Sequence, residues 1–513
     1  MFIHRIVPNQ YRDSVSLMQL SAALGKLAGI ERASAIMATP ANLELLKEAG
    51  LAGGDIKASP NDLLIALRGN NAAALEAAFA AAQAALDKAP AASAGGPTGQ
   101  PARSIQMALE RVADANLALI SVPGEYAAAE ARKALRLGLN VMLFSDNVSL
   151  ADEIGLKHYA AERRLLLMGP DCGTAIIDGI PLGFANAVRR GAVGVVGASG
   201  TGIQQVTCLV HRRGAGISQA IGTGGHDLHK DVGGITMLHG LRALARDAAT
   251  QVIVLISKPP AAEVAKEVLA AARRAGKPVV VNFIGAAREA DKGNIHWART
   301  LEEAAITAVA LATGKKSGKR PPSSSPKRVK MPKLKLKKEQ RFVRGLYSGG
   351  TFCYETSALL GEALGEVWSN AAVDASRTLG NPWKSKGHSL IDLGDDVFTR
   401  GRPHPMIDHR LRNARLIEEA ADPQVAVIIL DVVLGYGSHA DPAAEMIPAI
   451  RQAQQAARKK GRSIAFVGFV CGTEEDPQGL ARQEAALREA GVLLEESNAR
   501  AALRAAALLK MRA

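Results

Sequence analysis

Glycine-rich turns that follow apolar runs are the part of this sequence best suited to chemistry. The turn Gly197-Ala198-Ser199-Gly200-Thr201-Gly202 follows the run at 192–196, and Leu434-Gly435-Tyr436-Gly437 follows a run that starts at 425. Glycines let backbone N–H groups approach an anion, and a helix that starts there adds partial positive charge. We therefore predict that phosphate is bound by Gly197, Ser199, Gly200, Thr201, Gly202, Gly435 and Gly437. For any single turn, a plain strand-to-helix connection is the alternative.

Related turns recur at Gly222-Thr223-Gly224-Gly225 and at Ser348-Gly349-Gly350-Thr351, and this recurrence favours a ligand over chance. The 197–202 and 348–351 segments resemble degenerate copies of one motif, in which a strand is followed by a turn of glycine and small polar residues and then by a helix. The sequence has no Gly-Lys-Ser/Thr at the spacing of a Walker A loop, and no convincing GxGxxG with a partner acid. ATP hydrolysis and hydride transfer are therefore poorly supported.

Polar residues are densest in a short segment of the carboxyl-terminal part. Paired arginines can clamp a carboxylate with two parallel hydrogen bonds, so this segment is a candidate substrate site. Its members are Arg400, Arg402, His404 and Asp408. A structural ion-pair network is the alternative.

Metal and thiol chemistry are weaker hypotheses. The histidines and aspartates at 226–231 fit a solvated helix start better than a metal site, and the acids at 395–396 fit either a magnesium ligand set or a turn. The four cysteines are widely separated, which predicts a reducing, cytoplasmic setting and no zinc site. Cys172 lacks an evident histidine partner and is a poor candidate nucleophile.

Apolar runs without alternation, separated by glycine-containing turns and helices, predict an α/β protein with parallel sheets. A chain of 513 residues is too long for one core. The predicted divisions are a small α/β domain at 1–88, a doubly wound unit at 104–190, a second at 191–314, a basic linker at 315–340 and a third unit at 341–513. A second linker, rich in Gly, Pro, Ser and Ala, is predicted at 89–101.

The net charge of +14 invites a nucleic-acid interpretation. Eleven of the Lys and Arg residues, with one acid, lie between Lys315 and Gln340, among prolines and serines. Such a run is typical of a solvated linker, and it lacks the interleaved aromatics of a nucleic-acid or membrane surface. We therefore expect no nucleic-acid partner, no membrane span, no signal peptide and a cytoplasmic protein.

Several motifs resemble succinyl-CoA synthetase. The run 168–173 resembles the Gly-Pro-Asn-Cys-Pro-Gly segment of its α subunit, as 199–201 and 222–225 resemble that subunit's Ser-Gly-Thr and Gly-Ile-Gly-Gly turns. Asp392-Leu393-Gly394 and 434–437 resemble segments of the β subunit. The resemblance implies a CoA-binding Rossmann-like domain and two flavodoxin-type ligase domains, fused through the basic linker. It also implies possible CoA contacts at Pro123, Gly169, Pro170, Asp171 and Cys172.

The FdrA family is a closer resemblance, because the stretches 10–18, 39–42, 142–148 and 401–408 all look like it. The resemblance implies that the chain has an extra amino-terminal domain. It also implies that the chain is one subunit of an oxamate carbamoyltransferase, an enzyme of purine and allantoin degradation. Such a subunit works with two others and turns oxalurate plus phosphate into oxamate plus carbamoyl phosphate.

Two departures from succinyl-CoA synthetase are informative. Its Gly-His-Ala-Gly phosphocarrier loop has no counterpart near 286–296, where His296 lies in a strand-like context, and its ATP-grasp domain is missing. Phosphate held directly by the turns is our leading hypothesis. A CoA ligase whose partner chain supplies the nucleotide is the second, and a non-catalytic CoA- or nucleotide-sensing scaffold is the third. A homodimer, or a hetero-oligomer with other transferase subunits, is expected.

Overall fold

The computed structural model describes residues 1–48, 50–51, 56–87, 102–286, 289–314, 336–400 and 402–510. The predicted linker at 89–101, and residues 315–335 of the basic linker, lie outside the described residues.

The amino-terminal domain is a three-stranded antiparallel sheet with helices on both faces. Its strand order is β1-β3-β2, and its two apolar clusters lie on opposite faces of the sheet. Thr39 begins α2 by accepting a hydrogen bond from Asn42 N at 3.3 Å, as its position before Pro40 predicts. The elements are β1 (Phe2–Val7), α1 (Ser14–Leu24), β2 (Ile30–Met37), α2 (Pro40–Glu48), β3 (Leu63–Gly69) and α3 (Ala72–Asp87).

A parallel three-stranded sheet of order β4-β5-β6 follows. Helix α5 packs its alanines against this sheet, and Ala127, Ala131 and Ala134 are all buried. The elements are α4 (Ile105–Arg111), β4 (Leu117–Ile120), α5 (Gly124–Arg136), β5 (Asn140–Leu143), α6 (Leu150–Glu162) and β6 (Leu167–Met168).

The third sheet has seven strands in the order β13-β12-β11-β9-β10-β7-β8. Its five strands from β9 onward are parallel, and the β7–β8 hairpin is antiparallel. That hairpin, at 174–183, joins this sheet although it precedes the predicted boundary at 190/191. The elements are β7 (Thr174–Ile177), β8 (Ile180–Gly183), β9 (Arg190–Gly197), α7 (Gly200–Arg212), β10 (Ile217–Gly222), α8 (Ile235–Arg246), β11 (Val252–Ser257), α9 (Ala262–Arg273), β12 (Val279–Phe283), β13 (Ile295–Trp297) and α10 (Leu301–Thr313).

The fourth sheet is fully parallel, in the order β15-β16-β14-β17-β18-β19. All nine residues of β17 are buried; the apolar run at 425–430 predicts such burial in a parallel sheet, and the strand continues through the buried Asp431. The elements are β14 (Phe342–Tyr347), α11 (Gly350–Leu364), β15 (Val367–Ser369), β16 (His388–Asp392), α12 (Asp396–Thr399), α13 (Arg410–Ala421), β17 (Val425–Val433), α14 (Pro442–Lys459), β18 (Ala465–Cys471), α15 (Leu480–Glu489), β19 (Val492–Glu495) and α16 (Asn498–Lys510).

These elements form two compact lobes. The first lobe contains residues 1–170 together with 396–408, so α12 belongs with the two small sheets. The second lobe contains 171–395 and 409–513, and therefore both large sheets. The predicted class, doubly wound α/β domains preceded by a small α/β domain, is confirmed. Among the described residues, no helix is both long and apolar enough to span a membrane.

Candidate functional site

Helix α7 begins at the glycine-rich turn that the sequence singles out. Ser199 is the N-cap residue, and its Oγ accepts a hydrogen bond from Gly202 N at 3.0 Å. A side chain at position 202 would collide with that hydroxyl, so glycine is required there. The backbone N–H groups of a first helical turn lack partners within their own helix, and this turn is therefore suited to an anion.

Helix α11 begins in a similar way, but a carboxylate already occupies part of its start. Asp431, near the end of β17, accepts hydrogen bonds from Ser348 N and Gly349 N, each at 2.9 Å. Its charge is balanced by Arg412, whose Nη1 lies 2.6 Å from Asp431 Oδ1, and both side chains are fully buried. The site at this helix therefore already contains a buried ion pair.

The two helix starts meet within the second lobe. Ser199 and Thr351 share a hydrogen bond of 2.7 Å between their hydroxyl oxygens. A Cβ atom at Gly349 would lie 2.8 Å from Thr201 Cγ2, so the backbones approach closely only because 349 is glycine. The structure thus joins the two turns that the sequence marks as copies, one from each half of the chain.

Asp392 ends β16 beside this junction. Its Oδ1 accepts a hydrogen bond from Gly394 N at 2.9 Å, and any side chain at Gly350 would collide with its Oδ2. Burial, helped by the charges of Asp395 and Asp431, raises the pKa of Asp392 to about 7, although the hydrogen bond from Gly394 N and the charge of Lys258 lower it. A carboxyl group that titrates near neutral pH beside a helix start is a candidate acid or base.

Sequence reasoning did not assign Asp392 a catalytic role, although it quoted the residue within a motif. Its position as an acid at the carboxyl end of a buried parallel strand was the available signal. Lys258 was also missed. Its ammonium group lies 5.3 Å from the ring centroid of Tyr354, a residue of α11.

The turn containing Gly435 and Gly437 has a different environment from the one predicted. Both glycines have positive φ, 105° and 78°. Gly435 N donates to Gln478 Oε1 at 3.0 Å, and Tyr436 N donates to the carbonyl of Ala185 at 2.9 Å. A phosphate at this turn would have to replace those hydrogen bonds, so binding there remains a prediction.

Asn186 connects that turn to α7. Its Nδ2 donates to the carbonyl of Leu434 at 2.9 Å, and its Oδ1 accepts from Gln204 Nε2 at 3.2 Å. Gln204 lies in the second turn of α7. The residue before the 435–437 turn is therefore linked through Asn186 and Gln204 to the second turn of α7, whereas the 197–202 turn itself contacts the 348–351 turn.

The metal, thiol and phosphocarrier candidates of the second lobe make contacts that are typical of structural residues. Asp227 caps α8 by accepting from Thr236 N and Met237 N at 3.1 and 2.8 Å. Cys172 is buried, and its Sγ donates to the carbonyl of Gly222 at 3.5 Å. His296 lies on the edge strand β13, where its Nδ1 is 3.7 Å from Asp291 Oδ2. Among the described residues, no group of three metal-ligating side chains is present.

The first lobe contains a cavity of about 400 Å³. Arg400 and Arg402 line it, together with Pro123 at the start of α5 and Asp146 after β5. Burial raises the pKa of Asp146, and the charge of Asp396, which also lines the cavity, raises it further. The cavity therefore combines cationic and carboxylate groups.

The predicted arginine cluster is divided by this geometry. Arg400 and Arg402 line the cavity, whereas His404 and Asp408 are not among its lining residues. His404 Nδ1 accepts from Met406 N at 3.2 Å, and the buried Asp408 donates its backbone N–H to the His404 carbonyl at 3.0 Å. Those two residues shape the turn that precedes α13.

The run 169–172, predicted to contact CoA, is divided between the two lobes. Gly169 and Pro170 are the last residues of the first stretch of the first lobe, and Asp171 and Cys172 are the first residues of the second lobe.

Three family models match the chain. Residues 1–102 match "AllF, heavy metal-associated domain", 188–285 match "CoA binding domain", and 346–508 match "CoA-ligase". The CoA-binding match thus lies after the residues at 123 and 169–172 that the sequence assigned to CoA.

The family model that matches residues 1–102 is described as heavy metal-associated, but these residues lack the usual ligands of a heavy metal. Residues 1–102 contain no cysteine, and His4 is their only histidine. Heavy metals of this kind are held mainly by thiolate and imidazole groups. These residue types therefore do not suit a heavy-metal site in this domain.

One related protein matches almost the whole chain, and subunits of succinate–CoA ligases match parts of it. YahF from Escherichia coli (strain K12), described as uncharacterized, is 44% identical over 495 residues and covers 96% of both chains. Subunit alpha 2 of the ADP-forming succinate–CoA ligase from Archaeoglobus fulgidus is 29% identical over 222 residues, which are 41% of this chain and 75% of that subunit. The alpha subunit from Staphylococcus epidermidis is 28% identical over 148 residues, 28% of this chain and 48% of that subunit.

Two solved structures are similar at low identity. The dinucleotide-forming acetyl-coenzyme A synthetase 1 of Ca. Korarchaeum cryptofilum, in complex with phosphate and ADP, has a TM-score of 0.32 and 14% identity, and the match covers 77% of this chain and 83% of that one. PH0766 of Pyrococcus horikoshii OT3 has a TM-score of 0.34 and 14% identity, with coverage of 80% and 87%.

Proposed function

This chain belongs to the family of YahF, an FdrA/AllF-like branch of the succinyl-CoA synthetase superfamily, and from that premise we propose that it is a subunit of a carbamoyl or acyl transferase. The specific reaction we propose is that of oxamate carbamoyltransferase, in which oxalurate and phosphate give oxamate and carbamoyl phosphate. The AllF-type amino-terminal domain supports a setting in allantoin degradation.

One observation carries this proposal: the hydrogen bond of 2.7 Å that joins Ser199 and Thr351 at two helix starts. Each helix start presents backbone N–H groups, and each contributes partial positive charge. Two such starts in contact, one from each large sheet, favour a trianionic or dianionic group more than either would alone.

We place phosphate at the α7 side of this junction. On the α11 side, Asp431 already accepts from Ser348 N and Gly349 N, and the Asp392 carboxyl lies against Gly350. The Asp431 carboxylate repels an anion, whereas the first turn of α7 is capped by the neutral hydroxyl of Ser199. A phosphate oxygen held there would attack the carbamoyl carbonyl of the second substrate, and positioning would supply much of the rate enhancement.

We also propose that Arg400 and Arg402 bind the carboxylate or phosphate of an anionic ligand in the cavity of the first lobe. This proposal concerns binding alone. CoA remains a second candidate ligand of the chain, since matches to CoA-binding and CoA-ligase families cover 188–285 and 346–508.

The test is reconstitution of the chain with the two other subunits that we propose for the transferase, followed by incubation with oxalurate and phosphate. We expect oxamate and carbamoyl phosphate in equal amounts, formed only when phosphate is present, as measured by phosphorus NMR and chromatography. The same mixture without this chain is the control.

A CoA ligase is the second candidate function, and it is favoured by the family matches at 188–285 and 346–508. It predicts CoA-dependent formation of ADP from ATP when a nucleotide-binding partner is added. If CoA or nucleotide binds without turnover in every subunit combination, a sensing scaffold replaces both enzymatic candidates.

A further inference from the structure

We propose that Asp392 is the acid–base residue of the transfer reaction, taking the proton of the attacking phosphate and supplying one to the leaving nitrogen. This inference rests on the proposed phosphorolysis of oxalurate. It assigns a catalytic role to a residue of β16 that lies outside the predicted phosphate and substrate sets.

The geometry places one oxygen of Asp392 against Gly350, the first residue of α11, and the next residue, Thr351, shares the hydrogen bond with Ser199. Oδ1 is held by Gly394 N at 2.9 Å, and the strand backbone is held by a pair of hydrogen bonds to the Asn370 side chain, each 2.9 Å long. Oδ2 accepts no hydrogen bond from any described residue and lies against the Cα of Gly350, where any side chain would collide with it. The carboxyl group is therefore fixed in place while one of its oxygens remains available.

Asp431 provides an internal comparison. It is also an acid near the end of a parallel strand beside α11, but its carboxylate accepts from Ser348 and Gly349 and is paired with Arg412 at 2.6 Å. Asp431 therefore has a structural role. Asp392 lacks such a guanidinium partner among the described residues, and no structural hydrogen bond among them uses its second oxygen.

Burial is the main cause that raises the pKa of Asp392, and the hydrogen bond from Gly394 N lowers it. Asp395, on the following loop, and Asp431, on β17, both raise its pKa, whereas Lys258, after β11, lowers it. The Cys353 thiol of α11 is a further neighbour, and its pKa is raised by burial and by the charge of Asp392. With a pKa of about 7, Asp392 can both donate and accept a proton at neutral pH.

The proton balance of the reaction requires such a group. An oxygen of HPO₄²⁻ forms a bond to the carbamoyl carbon of oxalurate, and the bond from that carbon to the bridging nitrogen breaks. The electron pair of the broken bond stays on nitrogen, which takes a proton and leaves as the amide of oxamate. Protonated Asp392 supplies that proton and is reprotonated by the proton that the phosphate oxygen loses, so no other reactant is consumed.

The experiment compares Asp392→Asn with Asp395→Asn and Lys258→Gln in the reconstituted complex. Asparagine keeps the size of the side chain and its contact with Gly394 but cannot exchange the proton. We expect kcat for oxalurate phosphorolysis to fall by about 100-fold or more in Asp392→Asn, with the thermal unfolding midpoint close to that of the wild type. Asp395→Asn is the matched control for loss of one neighbouring carboxylate and retains most of the activity.

The pH profile separates acid–base catalysis from a structural role. Activity is expected to fall as pH rises through the pKa of Asp392. Removing the Asp395 charge lowers that pKa and moves the falling limb to lower pH, whereas Lys258→Gln moves it to higher pH, each by a few tenths of a pH unit. Ionisation of free phosphate cannot produce opposite shifts in two variants.

Two results overturn the inference in distinguishable ways. An active wild type, with Asp392→Asn equally active or with a limb that neither neighbouring variant moves, rejects Asp392 and leaves the proposed function standing. A wild-type complex that does not consume oxalurate with phosphate rejects the proposed function, and the role of Asp392 with it.

Discussion

Ser199 and Thr351, 152 positions apart in the sequence, share a hydrogen bond of 2.7 Å between their side-chain oxygens. Each lies at the start of a helix that follows a central strand of its sheet. Helix α7 follows β9, and helix α11 follows β14. The bond marks the place where the two halves of the chain bring their helix starts into contact.

The first prediction concerns the charge at position 199. Ser199→Asp places a carboxylate where phosphate is proposed to bind, so phosphate-dependent activity should be abolished, with a loss of at least about 100-fold in kcat/KM for phosphate. Ser199→Ala is the matched control, because it removes the cap without adding charge and should cost only about 1 kcal/mol of stability. Steady-state kinetics with varied phosphate provide the measurement. Unchanged phosphate affinity in the aspartate variant would count against the proposed site.

The second prediction concerns the buried ion pair beneath α11. Arg412→Leu leaves Asp431 buried without its counter-charge, and the second lobe should lose about 3–5 kcal/mol of unfolding free energy. All three tryptophans (297, 368 and 383) lie in the second lobe, so urea denaturation followed by tryptophan fluorescence reports on it.

Arg488→Leu is the control for that experiment. Arg488 forms an ion pair with Glu484 at 2.7 Å, but its side chain is 55% exposed, and such pairs contribute less than about 1 kcal/mol. Equal losses in the two variants would show that the Arg412–Asp431 pair contributes no more than an exposed one.

The third prediction concerns pH and the buried carboxyl of Glu355. This group accepts from Leu301 N and Asn498 Nδ2, each at 2.8 Å, yet burial raises its pKa to about 7. An acid whose pKa is raised on folding binds its proton more tightly in the native state. Its contribution to stability is therefore lost as pH rises from its ordinary pKa, 4.5, to about 7.

In Glu355→Gln this pH-dependent loss disappears. The thermal unfolding midpoint of the variant should fall less between pH 5 and pH 8 than that of the wild type, as measured by differential scanning calorimetry. Glu418→Gln, at an exposed position of α13, should follow the wild-type curve. Parallel curves for wild type and Glu355→Gln would contradict the assignment.

The fourth prediction concerns the cavity of the first lobe. Arg400→Ala and Arg402→Ala should each weaken the binding of an anionic ligand by about 10-fold or more, because a charge-assisted hydrogen bond is lost. Isothermal titration with oxalurate, inorganic phosphate and CoA, each in turn, identifies which ligand the cavity takes. Arg488→Ala is the charge-matched control, and equal affinities across the three variants would remove the cavity from consideration.

Local patterns determined much of the fold. The uninterrupted apolar run at 425–430 predicts a strand buried on both faces, and it forms the first six residues of β17. The alanine-rich stretch at 72–87 predicts a helix with the bounds that α3 has. The glycines at 197–202 and 349–350 predict tight strand-to-helix turns, because backbone sterics and hydrogen bonding act over a few neighbouring residues. Recurrence of those turns also predicts that phosphate binds at the helix starts, and this stays a prediction.

Only the tertiary structure decided which turns meet. Side chains at 199 and 351, which follow β9 and β14, come together in the second lobe, and Asp392, at the end of β16, lies against Gly350. The pairing of Asp431 with Arg412 and the assignment of 396–408 to the first lobe likewise depend on contacts between distant segments. A sequence shows the residue types but not their mutual distances, and charge interactions and burial, which set the pKa of Asp392, depend on those distances.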